Sequence, residues 1–166
     1  GIDEDAGGIL TQLLTDHPQA PQAAEAAFLR GLAHEQLGRP AEARLDLEQF
    51  LSLRPGVIDA FVQERIGDLW RGSGAAPEAA AAYRAALNER LDAGITLRVK
   101  LGRTLAEAGD LDGALAEYEA LAGVTSDPST LATLNYLSGL VLEEKGETAA
   151  AQARYMDSVL RFPDAY

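Results

Sequence analysis

Hydrophobic positions recur along the chain with the spacing of an α-helix. In the first segment, Ile9, Leu10, Leu13 and Leu14 fall on one face of a helix predicted over residues 3–17. Nowhere does the chain alternate β-branched and polar residues over the length of a strand. The pattern therefore predicts an all-α protein of about nine helices.

A skeleton of small and large residues recurs four times along the chain. It consists of a glycine, a second glycine seven residues later, an alanine five residues further on and a large residue four beyond that. The copies are Gly31, Gly38, Ala43, Leu47; Gly67, Gly74, Ala79, Tyr83; Gly102, Gly109, Ala114, Tyr118; and Gly139, Gly146, Ala151, Tyr155. Because the spacing inside a copy never changes, all length variation falls between copies, where loops tolerate it. The sequence is an array of two-helix repeats.

Glycines and prolines set the predicted boundaries. Gly38 ends a helix over 21–37 as a C-terminal cap, and Pro40 opens the next. The remaining helices are predicted over 40–53, 57–72, 77–91, 95–108, 111–122 and 128–144, with a last helix ending near 161. We expect a single domain over 1–166, with a half-repeat at 3–17 and full repeats at 24–57, 60–93, 95–128 and 132–165. Because the first and last segments look trimmed, we also expect the chain to be a fragment of a longer one.

The first glycine of each copy has a predicted packing role. It lies mid-helix, where glycine is about 1 kcal/mol less favourable than alanine. The missing side chain would let the partner helix approach the backbone, and the large residue, such as Tyr83 after Gly67, would fill the remaining space. Each helix pair also has an apolar stripe too wide to bury alone, so neighbouring pairs must stack.

This skeleton resembles the tetratricopeptide repeat, and the resemblance covers essentially the whole chain. It departs from the family pattern at some positions. Three residues after the first glycine the family has an aromatic residue, and the four copies here have His34, Trp70, Leu105 and Leu142 at that position. Just before that glycine the family has a large apolar residue, and the four copies here have Arg30, Ile66, Leu101 and Ser138 at that position. The resemblance implies a right-handed superhelical solenoid of antiparallel helix pairs.

The resemblance also implies a protein or peptide partner. In this family the first helices of the repeats line a concave groove, which here predicts binding residues at Phe28, Leu32, Glu35, Phe61, Glu64, Asp68, Arg71, Val99, Arg103, Ala106, Tyr136, Leu140 and Glu143. Some members hold a peptide C-terminus with lysine and asparagine in the groove. That clamp is missing, since the residue after the glycine is Leu32, Asp68, Arg103 or Leu140. The apolar groove residues suit an amphipathic helix or an extended segment.

Composition excludes several other partners. The formal net charge of −12 argues against nucleic acid and anionic membrane surfaces, which need clustered lysine and arginine. No apolar run approaches the length of a membrane span. The chain has no cysteine, which excludes disulfides and leaves both a cytoplasmic and an exported, cell-envelope location open. Arginine far outnumbers lysine, which with the many alanines and glycines indicates a bacterial source.

Motifs that suggest chemistry have structural explanations. His34-Glu35 begins like a zinc-protease helix, but the second histidine would fall at Gly38. Gly72-Ser73-Gly74 is fully explained as an inter-helix turn, and acidic pairs such as Glu143-Glu144 do not face each other on a helix. We therefore predict no catalytic, metal or cofactor site and no enzymatic activity.

Three functional hypotheses follow. The first is a non-catalytic interaction scaffold that holds a protein segment in its groove. The second is a helical accessory segment of a larger bacterial envelope enzyme, such as a lytic transglycosylase. The third is a self-assembly module, since the end of a solenoid is apolar and can stack on another copy.

Overall fold

The computed structural model describes residues 2–56, 58–89 and 94–161, and these residues form nine α-helices. The helices are α1 Ile2–Asp16, α2 Ala23–Gln36, α3 Pro40–Leu53, α4 Asp59–Gly72, α5 Ala76–Glu89, α6 Ile95–Glu107, α7 Leu111–Ala122, α8 Pro128–Glu144 and α9 Thr148–Arg161. The all-α class and the helix number are confirmed. The bounds of α3, α7 and α8 agree with the prediction residue for residue.

The start of α2 differs from the prediction. The helix begins at Ala23 rather than at Pro21. The N–H of Ala20 bonds to the carbonyl of His17 at 3.0 Å, and the N–H of Ala23 bonds to the carbonyl of Ala20 at 2.9 Å. Two successive turns therefore use these residues before the helical bonds begin. The predicted end of the fifth helix, Leu91, lies outside the described residues.

The second glycine of each copy ends the first helix as predicted. Gly38, Gly74, Gly109 and Gly146 have φ angles of 69°, 82°, 82° and 80°, in the left-handed region that glycine adopts without strain. At the first of them, the N–H of Gly38 bonds to the carbonyl of Glu35 and the N–H of Arg39 to that of His34. These bonds satisfy carbonyl groups that the helix end would otherwise leave unpaired.

The chain divides into two compact units, residues 1–89 and 90–166. In unit 1, α2 packs with α3 and α4 with α5, while α1 packs on α2 and α3 on α4. In unit 2, α6 packs with α7 and α8 with α9, while α7 packs on α8. Apart from α1, which is a half-repeat, each unit is therefore built from consecutive helix pairs, and each pair is one copy of the repeat.

The first glycine of each copy lies against the large residue of the partner helix. A Cβ placed on Gly67 would lie 2.5 Å from the ring of Tyr83, and the rings of Tyr118 and Tyr155 occupy the same place over Gly102 and Gly139. At Gly31 the contact is looser, because a Cβ would lie 3.2 Å from both Leu47 and the carbonyl of Ala43. The predicted packing role of the glycine is thus confirmed in all four copies.

The core of each unit is made of the residues between the paired helices. In unit 1 it includes Leu14, Leu47, Phe50, Val62 and Ile66. In unit 2 it includes Leu97, Leu101, Leu121, Leu134 and Val141. Within the described part of the chain, no helix combines the length and the apolar character that crossing a membrane requires.

Candidate partner-binding faces

The predicted groove residues lie on the first helices of the repeats, and we call their surface in each unit the first-helix face. In unit 1 this face lies on α2 and α4 and comprises Phe28, Leu32, Glu35, Phe61, Glu64, Asp68 and Arg71. In unit 2 it lies on α6 and α8 and comprises Val99, Arg103, Ala106, Tyr136, Leu140 and Glu143.

Arg65 joins two of the predicted residues of unit 1. Its guanidinium forms an ion pair with Glu35 of the preceding repeat, which links α2 to α4. The same guanidinium lies 5.6 Å from the ring centroid of Phe61, within the range of a cation–π interaction. Arg65 therefore holds an apolar and an acidic side chain of the first-helix face together.

Tyr83 lies on α5, and its hydroxyl reaches Asp68 on the first-helix face of unit 1. The ring passes over Gly67, and the hydroxyl donates a hydrogen bond to Asp68 Oδ1 at 2.7 Å. Burial of the ring, that hydrogen bond and the negative charges of Asp68 and Glu64 raise the pKa of Tyr83 well above its usual range, while the charge of Arg71 opposes the shift. The tyrosine thus brings three predicted residues, Glu64, Asp68 and Arg71, around one phenol.

Unit 2 repeats this arrangement with different partners. The hydroxyl of Tyr155 donates to Glu143 Oε2 at 2.8 Å, and its ring lies 5.9 Å from the ring of Tyr136. Desolvation and the bond to Glu143 raise the pKa of Tyr155 to about 12. Burial also raises the pKa of Tyr118 to about 12, although the positive charge of Arg103 opposes the shift.

Ionisation of Tyr118 should destabilise unit 2. Its pKa is about 12 in the folded chain against the usual value of 10, so the neutral phenol stabilises the fold fully below pH 10 and this stabilisation is lost as pH rises through 12. We expect the free energy of unfolding to fall by about 1.4 kcal/mol per pH unit in that window from this residue alone. Urea unfolding at several pH values, compared with Tyr118→Phe, measures it, and identical slopes for the two proteins would contradict the prediction.

The predicted face residues differ in how far they reach solvent. Phe61, Tyr136 and Leu140 are 46%, 48% and 41% exposed. Phe28 is half-buried instead, because its ring packs 5.3 Å from that of Phe50 in the core. Leu32 and Val99 are also half-buried. The apolar contact area that the two faces offer a partner thus comes mainly from the exposed three.

Sequence reasoning missed Arg65 and the tyrosine hydroxyls. The tyrosines were assigned only a packing role, yet Tyr83 and Tyr155 place their hydroxyls against acids of the first helices. The available signal is the difference between copies: copy one has Leu47 at this position, whereas the other three have a tyrosine with a polar tip. Arg65 gave no such signal, since its partner Glu35 lies in another repeat.

The structure also joins three polar residues of copy one. Arg30 donates to Asp46 at 3.0 and 2.5 Å, and His34 Nδ1 lies 3.0 Å from the same carboxylate, which is only 4% exposed. The apolar position that the repeat pattern predicts at Arg30 is therefore filled by a buried ion pair. Over the described residues, no group of three or more His, Cys, Asp or Glu side chains is placed to hold a metal ion.

Comparison with known proteins gives one family-model match and several solved structures with the same fold. A family model described as tetratricopeptide repeat matches residues 4–57. Among solved structures, the chain is similar to YrrB, described as "a TPR protein with an unusual peptide-binding site", at 21% identity and a TM-score of 0.75, covering 98% of this chain and 79% of that one.

Two further structures have the same fold. The MamA protein matches at 20% identity and a TM-score of 0.73, covering 97% of this chain and 83% of that one. BtubC from P. vanneervenii matches at 19% identity and a TM-score of 0.67, covering 99% and 74%. These similarities confirm the predicted solenoid class of repeated helix pairs. No curated protein matches the chain.

Proposed function

We propose that this chain, which matches a tetratricopeptide repeat model over residues 4–57 and shares the fold of YrrB, is a non-catalytic scaffold that binds a peptide or helical segment of a partner protein on its first-helix faces. The observation that carries this proposal is the exposure of Phe61, Tyr136 and Leu140. Large apolar side chains at the surface of a soluble fold favour a partner, and aromatic residues contribute strongly to binding energy.

The surroundings of these residues support a segment with both apolar and polar side chains. In unit 1, the ring of Phe61 lies beside the ion pair of Arg65 and Glu35. In unit 2, Tyr136 lies against Tyr155, whose hydroxyl is bound to Glu143. Each apolar residue is thus bordered by charged groups, which suits one side of an amphipathic helix or the alternating side chains of an extended peptide.

A catalytic role has little support from the residues described. His34 and Asp46 form an imidazole–carboxylate pair, as in hydrolytic triads. However, no hydroxyl group in the described part of the chain is hydrogen-bonded to the His34 ring, and cysteine is absent from the sequence. The pair lies instead between helices, where it neutralises Arg30.

A peptide selection tests the proposal. A random twelve-residue phage library would be selected on the purified chain, and affinities of the enriched peptides measured by fluorescence anisotropy. We expect the double variant Phe61→Ala/Tyr136→Ala to raise Kd at least tenfold, about 1.4 kcal/mol, because two exposed aromatic contacts are removed.

The control removes apolar side chains that are more exposed than Phe61 and Tyr136 but lie elsewhere. Leu45 on α3 and Val124 after α7 are 56% and 80% exposed and belong to neither first-helix face. Leu45→Ala/Val124→Ala should bind the same peptides as the unmodified chain does. A selection without enrichment, or equal losses in the two double variants, would reject the proposal.

Self-association is a second candidate function, supported by the outer surface of α9. Met156, Val159 and Leu160 are exposed and recur with the spacing of one helical face. We expect the chain to form a weak dimer in sedimentation velocity at high concentration, and Val159→Glu to keep it monomeric because a buried carboxylate would lack a partner. Val124→Glu, which adds the same charge at another exposed site of unit 2, should still dimerise. A monomeric chain at all concentrations would contradict this.

A further inference from the structure

Unit 1 contains a cavity on a different side of α2 from the first-helix face. Its volume is about 430 Å³, and it is lined by Gly7, Gly8 and Thr11 of α1, by Arg30 and His34 of α2, and by Arg39. On α2, Arg30 and His34 are one turn apart, whereas Phe28, Leu32 and Glu35 fall on the opposite side of the helix. The cavity is therefore separate from the proposed peptide-binding surface.

The two glycines of α1 are not explained by packing within the chain. Both lie in the interior of a fifteen-residue helix, where glycine is less favourable than alanine. A Cβ on either residue would meet no atom within 4 Å, whereas a Cβ on Gly67 would collide with Tyr83. What Gly7 and Gly8 provide is helix backbone that a bound group can approach closely, at the wall of a cavity.

The basic side chains of the cavity are held in place by one buried acid. Asp46 accepts two hydrogen bonds from Arg30 and one from His34 Nδ1. The other terminal nitrogen of Arg30 donates to the hydroxyl of Thr11 at 3.3 Å, and both residues line the cavity. The matching positions of the second copy are Ile66, Trp70 and Ala82, so the repeat fold does not need these charges.

A buried ion pair seldom stabilises a fold more than well-packed apolar residues of similar volume do. The half-repeat and copy one together therefore have three features that their own stability does not account for: two interior glycines in α1, a polar cluster of copy one that includes an apolar position of the repeat, and a cavity between them. All three occur at the same place. A ligand that uses the open backbone and the positioned donors explains them together.

The charges at the cavity indicate the chemistry of that ligand. Asp46 neutralises Arg30, whereas Arg39 has no ion-pair partner within the described residues. Over the described residues, one guanidinium without an ion-pair partner, with the Thr11 hydroxyl and the remaining N–H groups of Arg30, matches a planar single negative charge. A phosphate dianion would carry one more negative charge than this single guanidinium balances. We propose that this cavity is a second binding site, which holds a carboxylate group of a peptide or small molecule.

A titration with defined probes tests the proposal. The probes are acetyl-dialanine with a free C-terminal carboxylate, its C-terminal amide, an amidated peptide with one glutamate, succinate and inorganic phosphate. The readout is the NMR shift of the backbone amides of Gly7, Gly8 and Thr11. We expect at least one carboxylate probe to shift these amides with saturation, and the uncharged amide to leave them unchanged.

The arms also identify the source of the carboxylate, and each positive arm supports the proposal. A response only to the free C-terminus assigns a peptide end, a response to the glutamate peptide assigns a side chain, and a response to succinate assigns a small molecule. No response to any carboxylate, or phosphate binding as tightly as the best carboxylate, would overturn the proposal.

Two variants separate binding from folding. Arg39→Gln should weaken binding of the carboxylate probe at least fivefold without changing Tm. Arg98→Gln in unit 2 should change neither the affinity for the probe nor Tm. Gly8→Ala should raise Tm, because its side chain enters open space in a helix, and should weaken binding at least fivefold because it fills the cavity wall. Equal affinity of Arg39→Gln and the unmodified chain would refute the site, whatever the peptide selection on the first-helix faces shows.

Discussion

Gly67→Ala should be among the most destabilising single-methyl additions in this protein. Alanine normally stabilises the interior of a helix by about 1 kcal/mol relative to glycine. Here the added methyl would lie 2.5 Å from the Tyr83 ring, which is fully buried and cannot move away. Overpacking of this kind costs about 3 kcal/mol, so we expect a net loss of about 2 kcal/mol or more in urea unfolding.

Two substitutions in the same unit serve as controls for the contact itself. In Gly31→Ala the added methyl would lie 3.2 Å from Leu47, so that side chain needs to shift only slightly. The loss in the free energy of unfolding should therefore be smaller than for Gly67→Ala. Gly8→Ala faces open space and should stabilise by about 1 kcal/mol. The expected order of stability is therefore Gly8→Ala, then the unmodified chain, then Gly31→Ala, then Gly67→Ala. Equal effects at Gly8 and Gly67 would show that helix propensity, and not the tyrosine contact, decides the outcome.

The contact between Gly67 and Tyr83 could be predicted from the sequence because it is periodic. The same spacing occurs in four copies, so each copy tests the same packing arrangement, and the structure confirms it in each. Most helix boundaries were predictable for a related reason, since glycine and proline fix the turns through their own backbone preferences, although Pro21 does not begin α2. Features repeated along a solenoid are thus readable from one chain without relatives.

The binding faces could be predicted only as positions, not as exposed surfaces. Phe28 and Phe61 were both predicted as binding residues, but the ring of Phe50 packs against the first, whereas the second is 46% exposed. Whether an apolar residue of a first helix reaches solvent depends on the side chain opposite it in the partner helix. That side chain varies between copies, so the repeat pattern does not fix it.

The polar cluster of copy one could not be predicted from the repeat pattern, for a different reason. Arg30 and His34 depart from the residues that the family pattern expects, whereas Asp46 lies at a position that varies between copies, and each alone would pass for a surface residue. Only the packing of α2 on α3 brings them within hydrogen-bond distance. The departure of one copy from its siblings is the signal that could have pointed to them.

The second large effect is expected at Asp46, whose removal should strongly destabilise unit 1. Its carboxylate is 4% exposed and is the hydrogen-bond partner of both Arg30 and His34. In Asp46→Ala, the Arg30 guanidinium would stay largely buried without its counter-charge, and breaking a buried pair in this way costs about 3 kcal/mol. Urea unfolding of the single variant measures the loss.

Replacing all three residues together should have the opposite outcome. The triple variant Arg30→Ile/His34→Trp/Asp46→Ala gives copy one the side chains of copy two, Ile66, Trp70 and Ala82, which already pack in the same repeat frame. Apolar replacement of a buried ion pair is neutral or stabilising by about 1–4 kcal/mol. A triple variant as unstable as Asp46→Ala would show that the cluster is needed for the fold. A triple variant that is stable but no longer binds a carboxylate would show that copy one keeps these charges for its ligand.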